Sequence, residues 1–402
     1  MDNRTLRPNP AAPSLPHRSL LSHLSTYRIP FNRPTTSPNT AACIGEALAN
    51  GRLAGNGPFT HRCEAALETL TRARKALLTS SCTSALELSA TLLDAQPDDE
   101  VIVPSFTFVS TANAFTMRGL RPVFADCRPD TLNIDERGLE RLVGTRTRAI
   151  VVMHYGGVAC DMDAILDIAR RHTLVVIEDN AHGLFGRWRG QALGTFGALA
   201  TQSFHETKNV TCGEGGALLL NDEALIERAE VIREKGTNRS RFFRGQVDKY
   251  TWVDVGSNYL MSELQAAALY AQLQHWETIQ QARHVIWQRY DEALRGWAAR
   301  HGVVTPTVPE ECEHPAHLYY LLLPSPERRD ALIEYLRGRS ILAVFHYLPL
   351  HLSPMGLRFG GAAGDCPVTE RVSERLVRLP FYTDLTAADQ DEVIDAVLGF
   401  SI

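Results

Sequence analysis

The chain has 402 residues, 44% of them hydrophobic and 22% charged, and a formal net charge of -5. That length suits two or three domains with sizeable cores, and the mild negative charge gives no sign of nucleic-acid or acidic-membrane binding. No apolar run reaches the ~18 residues of a membrane helix, so the expectation is a cytoplasmic protein acting away from membranes and nucleic acid.

The first stretch, residues 1–28, is MDNRTLRPNPAAPSLPHRSLLSHLSTYR. It is rich in Pro, Ser and Arg and lacks the apolar centre of a secretory signal, so it reads as a disordered tail. The eight cysteines are scattered and none forms a CxxC pair. That spacing suggests reduced thiols, with no metal site and no disulfide framework.

From Ala76 onward, short apolar runs alternate with helical stretches. The runs are ALLTS (76–80), VIVPS (101–105), RPVFAD (121–126), AIVVMHY (149–155), LVVIED (174–179), ATQSF (200–204) and GALLL (216–220). Val- and Ile-rich runs of this length, separated by helices such as AILDIARRHT, predict βα units on a mainly parallel sheet buried on both faces. After about Asn221 the pattern changes. A long helix is predicted from Ser262, followed by a smaller unit with strands at 317–323 and 341–347 around the helix RRDALIEYLRGR. The expected organisation is the tail, a large domain over 29–260, and a long connecting helix with a small C-terminal α+β domain over 261–402.

Ligands of open α/β sheets bind beyond the carboxyl ends of the strands, and several polar residues fall there. SSCTSALELSA follows the first run and opens a helix. Thr83, Ser84 and the free N–H groups of that first turn suit a phosphate, and the same residues also suit an ordinary helix cap. Asp179 ends LVVIED, where a carboxylate pairs with a cationic ring nitrogen or caps the next helix; His182 lies three residues on. Ser203 is a second phosphate candidate. Lys208 then stands alone in SFHETKNVTCGEGG, before the turn of Gly213, Gly215 and Gly216. A lone lysine is most often a surface charge. The ordered set, however, suits pyridoxal phosphate, which needs a phosphate grip, an anion beside its pyridine nitrogen and an amine for covalent anchorage.

From about Ile29 to the C-terminus the sequence resembles the DegT/DnrJ/EryC1/StrS sugar aminotransferases. The resemblance rests on SCTSALELSA, VPSFTFVSTANAF, HYGGVACDMD, EDNAHG, SFHETKNVTCGEGG and GSNYLMSELQAA. It implies the aspartate-aminotransferase fold (the fold-type-I architecture of pyridoxal phosphate enzymes) and a homodimer with shared active sites. It implies that Lys208 anchors the cofactor, Asp179 pairs with its ring nitrogen and Phe108 stacks on its ring. His182 would sit near the phenolic oxygen. Ser203, Thr83 and Ser84 would hold the phosphate, and Asn258 would reach the phosphate in the neighbouring subunit. L-glutamate is the implied donor. The stretch EKGTNRSRFFRGQVDKYTWVDVGSNYLMSELQAA further implies a nucleotide-sugar acceptor, dTDP-4-keto-6-deoxyglucose. Two departures are Asn180, where Ala is common, and Leu260, where many members carry Arg or Lys.

Substrate residues are read less directly. Arg233, Lys235, Arg239, Arg241, Arg244 and Lys249 form a basic segment that suits a diphosphate, or a solvated loop. His205, His346 and His351 are candidates near the sugar. A retained Lys208 speaks against a dehydratase of this fold, in which His stands at the lysine position. The remaining alternatives are an aminotransferase for a 3-keto or UDP-linked sugar and a non-catalytic cofactor-binding regulator. Burial and a cationic cofactor are expected to lower Lys208 below its ordinary ~10.4.

Overall fold

The structure, a computed structural model, describes residues 27–402; residues 1–26, nearly all of the expected tail, lie outside the described residues. All seven apolar runs form strands within two residues of their expected bounds. They are β1 (Lys75–Thr79), β2 (Glu100–Pro104), β3 (Arg121–Ala125), β4 (Thr147–Met153), β5 (Val175–Asp179), β6 (Leu199–Ser203) and β7 (Gly216–Leu220). They join in one sheet of order β1-β7-β6-β5-β4-β2-β3. Strand β7 runs antiparallel to both its neighbours, and the remaining pairs are parallel.

The strands alternate two sets of apolar residues. Ala149 and Val151 enter a core with Leu77, Val101, Val103, Ile177 and Leu218. Ile150 and Val152 enter the opposite core with Ile102, Ile165 and Val176. A side-chain period of two with both phases apolar is what a sheet covered on both faces requires. Helices α1 (Thr40–Ala49), α2 (Pro58–Thr71), α3 (Cys82–Leu92), α4 (Val109–Thr116) and α5 (Met162–His172) supply those covers. Helix α5 shows the local logic. Asp161 accepts from the Ala164 N–H, Arg170, Arg171 and His172 fill the last turn, and Ile165, Ile168 and Ala169 face inward. The cap and the terminal cations each complement a helix end.

The long helix expected from Ser262 is two helices, α6 (Glu263–Leu273) and α7 (Trp276–Arg300). No Pro or Gly marks the break at Gln274 and His275. Packing makes it, because α6 is committed to α1 and α2, whereas Ile286, Tyr290, Leu294 and Trp297 of α7 enter the C-terminal core. That core is completed by α8 (Pro326–Arg337), α9 (Ala387–Leu398) and the antiparallel pair β8 (Tyr320–Leu322) and β9 (Leu376–Arg378).

Residues 341–347 do not form the expected strand. They make only single bridges, Ile341 to Ile29 and Val344 to Arg378, and β9 takes the place beside β8. At the end of the run Tyr347 adopts a left-handed φ of 24°, which bends the chain before Leu348 and Pro349. Such backbone costs of order 1–3 kcal/mol and persists where its surroundings enforce it. Here His346 and Tyr347 stack at 3.6 Å between ring centroids.

Candidate active site

Strands β5 and β6 lie side by side with Asp179 opposite Thr201, so their carboxyl ends open on one crevice. Glu178 fixes this edge from below. Its fully buried carboxylate accepts from the N–H groups of Gly194, Phe196 and Gly197 at 2.7, 2.7 and 2.8 Å. The His154 ring takes the Cys160 N–H on Nδ1, which leaves Nε2–H to donate to Glu178 at 3.0 Å. The turn into β6 is thereby tied to β4 and β5.

Asp179 is buried and turned to the other side. It accepts from the Thr111 hydroxyl in α4 at 2.7 Å and from the Ala181 N–H at 3.2 Å. Burial raises its pKa, against the Thr111 bond, the Ala181 N–H and the positive charge of Lys208. Among the described residues no cationic side chain forms an ion pair with it.

Lys208 sits in a loop closed by Phe204 N–H to Gly215 O at 2.8 Å and Glu206 N–H to Gly213 O at 2.9 Å. Burial lowers its pKa to about 8, with Cys82 and Asp179 opposing and Arg378 assisting. Its ammonium has no hydrogen-bond partner among the described residues. Gly216 lets this loop end close to α3. A Cβ there would lie 2.3 Å from the Ser81 carbonyl carbon.

Helix α3 begins at the crevice. Ser81 caps it by accepting from the Ser84 N–H, and Ser84 Oγ lies 2.9 Å from Ser80 Oγ. Thr83 Oγ1 lies 2.8 Å from Ser110 Oγ, bridging α3 to α4. The N–H groups of Cys82 and Thr83 have no acceptor among the described residues, as expected for a first helical turn.

A cluster of rings lies near enough to Lys208 to feel its charge. His182 is buried, accepts from the Gly156 N–H at 3.3 Å and stacks on His317 at 4.2 Å. His317 Nδ1 lies 2.9 Å from Asn209 Oδ1, and the Tyr155 hydroxyl lies 2.8 Å from His346 Nδ1. Burial above all holds His182, His317 and His346 well below the usual histidine range. The rings are therefore neutral at pH 7.

The structure thus gathers Asp179, Lys208, His182 and His346, with Thr83, Ser84 and Ser203 at the adjoining strand and helix ends. Phe108 begins α4 with 55% of its surface exposed, its ring 6.4 Å from Tyr347. His205 turns within its own loop, 3.0 Å from Thr207 Oγ1 and 3.7 Å from Glu214. His351 is not in the crevice. It is fully buried between Ser105 Oγ at 2.6 Å and Glu370 at 3.0 Å, a link that binds the loop after β2 to the C-terminal part.

The basic segment divides. Arg233 is buried against Glu64 at 2.6 Å, and Arg241 and Arg244 pair with Glu227 and Glu230. Those three are committed to protein carboxylates. Lys235, Arg239 and Lys249 form no ion pair among the described residues, and Arg239 lies over the Phe243 ring at 5.1 Å. Asn258 is exposed and bridges to Glu234. Sequence reading missed Thr111, Tyr155, His317 and Tyr347. Tyr155 and Thr111 follow strand ends inside quoted motifs and were within reach.

The comparisons with known proteins decide the family. The model of the DegT/DnrJ/EryC1/StrS aminotransferase family matches residues 35–398. The chain belongs to the DegT/DnrJ/EryC1/StrS aminotransferase family. It is 34% identical to the spore coat polysaccharide biosynthesis protein SpsC of Bacillus subtilis, over 92% of this chain and 96% of SpsC. The crystal structure of the aminotransferase TlmJ from Streptoalloteichus hindustanus superimposes with a TM-score of 0.85 at 31% identity, covering 92% of this chain and 98% of TlmJ. Spr1654 from Streptococcus pneumoniae in its PLP form does so with a TM-score of 0.85 at 26% identity, covering 92% and 97%. This aminotransferase has the expected fold type I, depends on pyridoxal phosphate and acts on a sugar with an amino donor.

Proposed function

We propose that this sugar aminotransferase moves the amino group of L-glutamate to C4 of dTDP-4-keto-6-deoxy-D-glucose. The products are 2-oxoglutarate and dTDP-4-amino-4,6-dideoxy-D-galactose, which makes the protein a dTDP-4-amino-4,6-dideoxygalactose transaminase. The observation that carries the residue roles is the pairing of Lys208, lowered to about 8, with a buried Asp179 that forms no ion pair among the described residues.

Those two features fit the cofactor. A buried carboxylate is costly unless a cation meets it, and the ring nitrogen of pyridoxal phosphate is such a cation. The open N–H groups of α3 with Ser203, Thr83 and Ser84 suit its phosphate, and exposed Phe108 offers a face to its ring. His182, held neutral, suits its phenolic oxygen. The cofactor supplies an electron sink for proton removal at the donor's Cα. Lys208 in its neutral form then moves that proton between the donor's Cα and C4′ of the cofactor. Asp179 holds the ring nitrogen protonated throughout.

The diphosphate is assigned to Lys235, Arg239 and Lys249, three cations of this segment that form no ion pair among the described residues, and the sugar to His346 and His205. SpsC, a relative by sequence, is named for spore coat polysaccharide biosynthesis, which accords with a sugar product. The working unit is a homodimer in the cytoplasm, with Asn258 directed at the partner's cofactor phosphate. Incubation with L-glutamate and dTDP-4-keto-6-deoxyglucose, read by mass spectrometry and NMR of the sugar, tests the acceptor. An axial amine at C4 is expected. A product only from a 3-keto or UDP-linked sugar would contradict the acceptor and leave the reaction class in place.

A further inference from the structure

His351, expected near the sugar, instead joins the sheet to the C-terminal part through a closed set of hydrogen bonds. Ser105 is the first residue after β2, and its N–H donates to the Ala125 carbonyl of β3 at 2.8 Å. Its own carbonyl accepts from the Leu350 N–H at 3.0 Å, and its Oγ accepts from the His351 N–H at 3.3 Å. The side chains close the set. A carboxylate only accepts, so His351 Nε2–H donates to Glu370 at 3.0 Å. Nδ1 is thereby left to accept from the Ser105 hydroxyl at 2.6 Å. Glu370 also accepts from the Gly364 N–H at 2.8 Å. The helix that carries it, Pro367–Arg375, is tied to the end of β3 by Asp126, which accepts from the Val368 and Thr369 N–H groups at 2.9 and 2.8 Å. Ser105 and His351 are both fully buried, and the polar groups of both side chains are satisfied, as buried groups must be.

Two parts of the crevice hang from this clamp. Phe108 lies three residues beyond Ser105, at the start of α4. Between them, Thr107 Oγ1 lies 2.8 Å from Thr111 Oγ1, the hydroxyl that donates to Asp179. Tyr347 lies four residues before His351, its ring 5.5 Å from Phe106 and 6.4 Å from Phe108. Phe108 is more than half exposed, and among the described residues its one ring contact is Tyr347. Its direction is therefore set by the backbone it leaves from, and Ser105 holds that backbone. We propose that His351 is a positioning residue for the cofactor ring, acting through Ser105 on residues 105–108 so that Phe108 faces the ring. This rests on the reading that Phe108 stacks on the ring of pyridoxal phosphate.

The test uses Ser105→Ala, His351→Ala, His351→Asn and Phe108→Ala holoenzymes, and the double variant Ser105→Ala/Phe108→Ala. Ser105→Ala removes only the hydroxyl link, so the test stands even where a cavity at His351 impairs folding. Two quantities are read: the rate of bleaching by saturating L-glutamate, and the visible circular dichroism of the bound cofactor, which reports how its ring is held. Ser105→Ala and His351→Ala should each slow bleaching about 10-fold, a fraction of the ~100-fold scale of a 1 Å misplacement, and weaken the dichroic band. His351→Asn keeps an acceptor, Oδ1, for the Ser105 hydroxyl and should recover part of both. In the Phe108→Ala background, Ser105→Ala should add less than about twofold, because residues that act through one another are not additive. Losses that multiply in the double variant would show a scaffold role independent of Phe108 and overturn the proposal. So would a wild-type rate and dichroism in Ser105→Ala and His351→Ala. A Phe108→Ala enzyme with the wild-type rate and dichroism would remove Phe108 from the ring, and the proposal with it.

Discussion

Burial shifts the two side chains proposed to carry the chemistry of the site. Lys208 is pulled down to about 8 and Asp179 is pushed up. Neither forms an ion pair among the described residues. The lysine shift fixes a pH dependence. A free lysine is protonated below ~10.4, and only the neutral amine attacks an aldehyde. Uptake of pyridoxal phosphate by the apoprotein should therefore accelerate with pH through a midpoint near 8. Stopped-flow absorbance across pH 6.5–10 checks this, and a midpoint near that of free lysine would contradict the burial of Lys208. The placement of Lys208 and Asp179 in one crevice was legible in the sequence, because Asp179 ends one strand-like run and Lys208 lies in the loop after another. The place of His351 was not: the sequence suggests the sugar site, and its partner Ser105 lies 246 residues away.

At the scale of elements, the site depends on how closely a strand and a helix start approach each other. Gly216 opens β7 where a Cβ would lie 2.3 Å from backbone of Ser81, the cap of α3. Backbone cannot yield as a flexible side chain does. Gly216→Ala should cost about 1–3 kcal/mol, the range of overpacked sites, and should weaken cofactor retention by displacing α3. Denaturant unfolding and cofactor dissociation measure the two effects. An unchanged midpoint would show that β7 has room to move. A second close fit holds α2 to α6. Glu263 accepts from the N–H groups of Gly57, Phe59 and Thr60 at 3.1, 2.8 and 2.9 Å. The buried strands were legible because both phases of their period are apolar. The break between α6 and α7 was not, since no residue there disfavours helix and only tertiary packing separates the two. The bend at Tyr347 was equally hidden: 341–347 reads as a β-rich run, and its bend is made by the rings it packs among.

At the scale of the whole molecule, the segment from Phe242 to Asn258 leaves large apolar groups in solvent. Trp252 is 76% exposed, with Tyr250, Val253 and Val255 beside it. Exposed apolar groups gathered in one segment suit an interface, which supports the proposed homodimer. Shared sites have a sharp consequence. In a mixed dimer of Lys208→Ala and Asn258→Asp subunits, one site carries both lesions and the other carries neither. Mixing the two inactive variants under exchange should restore about a quarter of wild-type activity, because half the dimers are mixed and each holds one intact site of two. No recovery after demonstrated exchange would place Asn258 outside the partner's site.

The central claim is that Lys208 holds the cofactor in a sugar aminotransferase that takes its amine from L-glutamate. The most direct measurement is the visible spectrum of purified wild type and Lys208→Ala, each supplied with pyridoxal phosphate and then titrated with L-glutamate. Wild type should show the yellow of the lysine-bound cofactor, lose it on addition of glutamate, and regain it with the keto sugar. Lys208→Ala should lack the lysine-bound band and show no turnover. A Lys208→Ala protein with the wild-type spectrum and response would contradict the account.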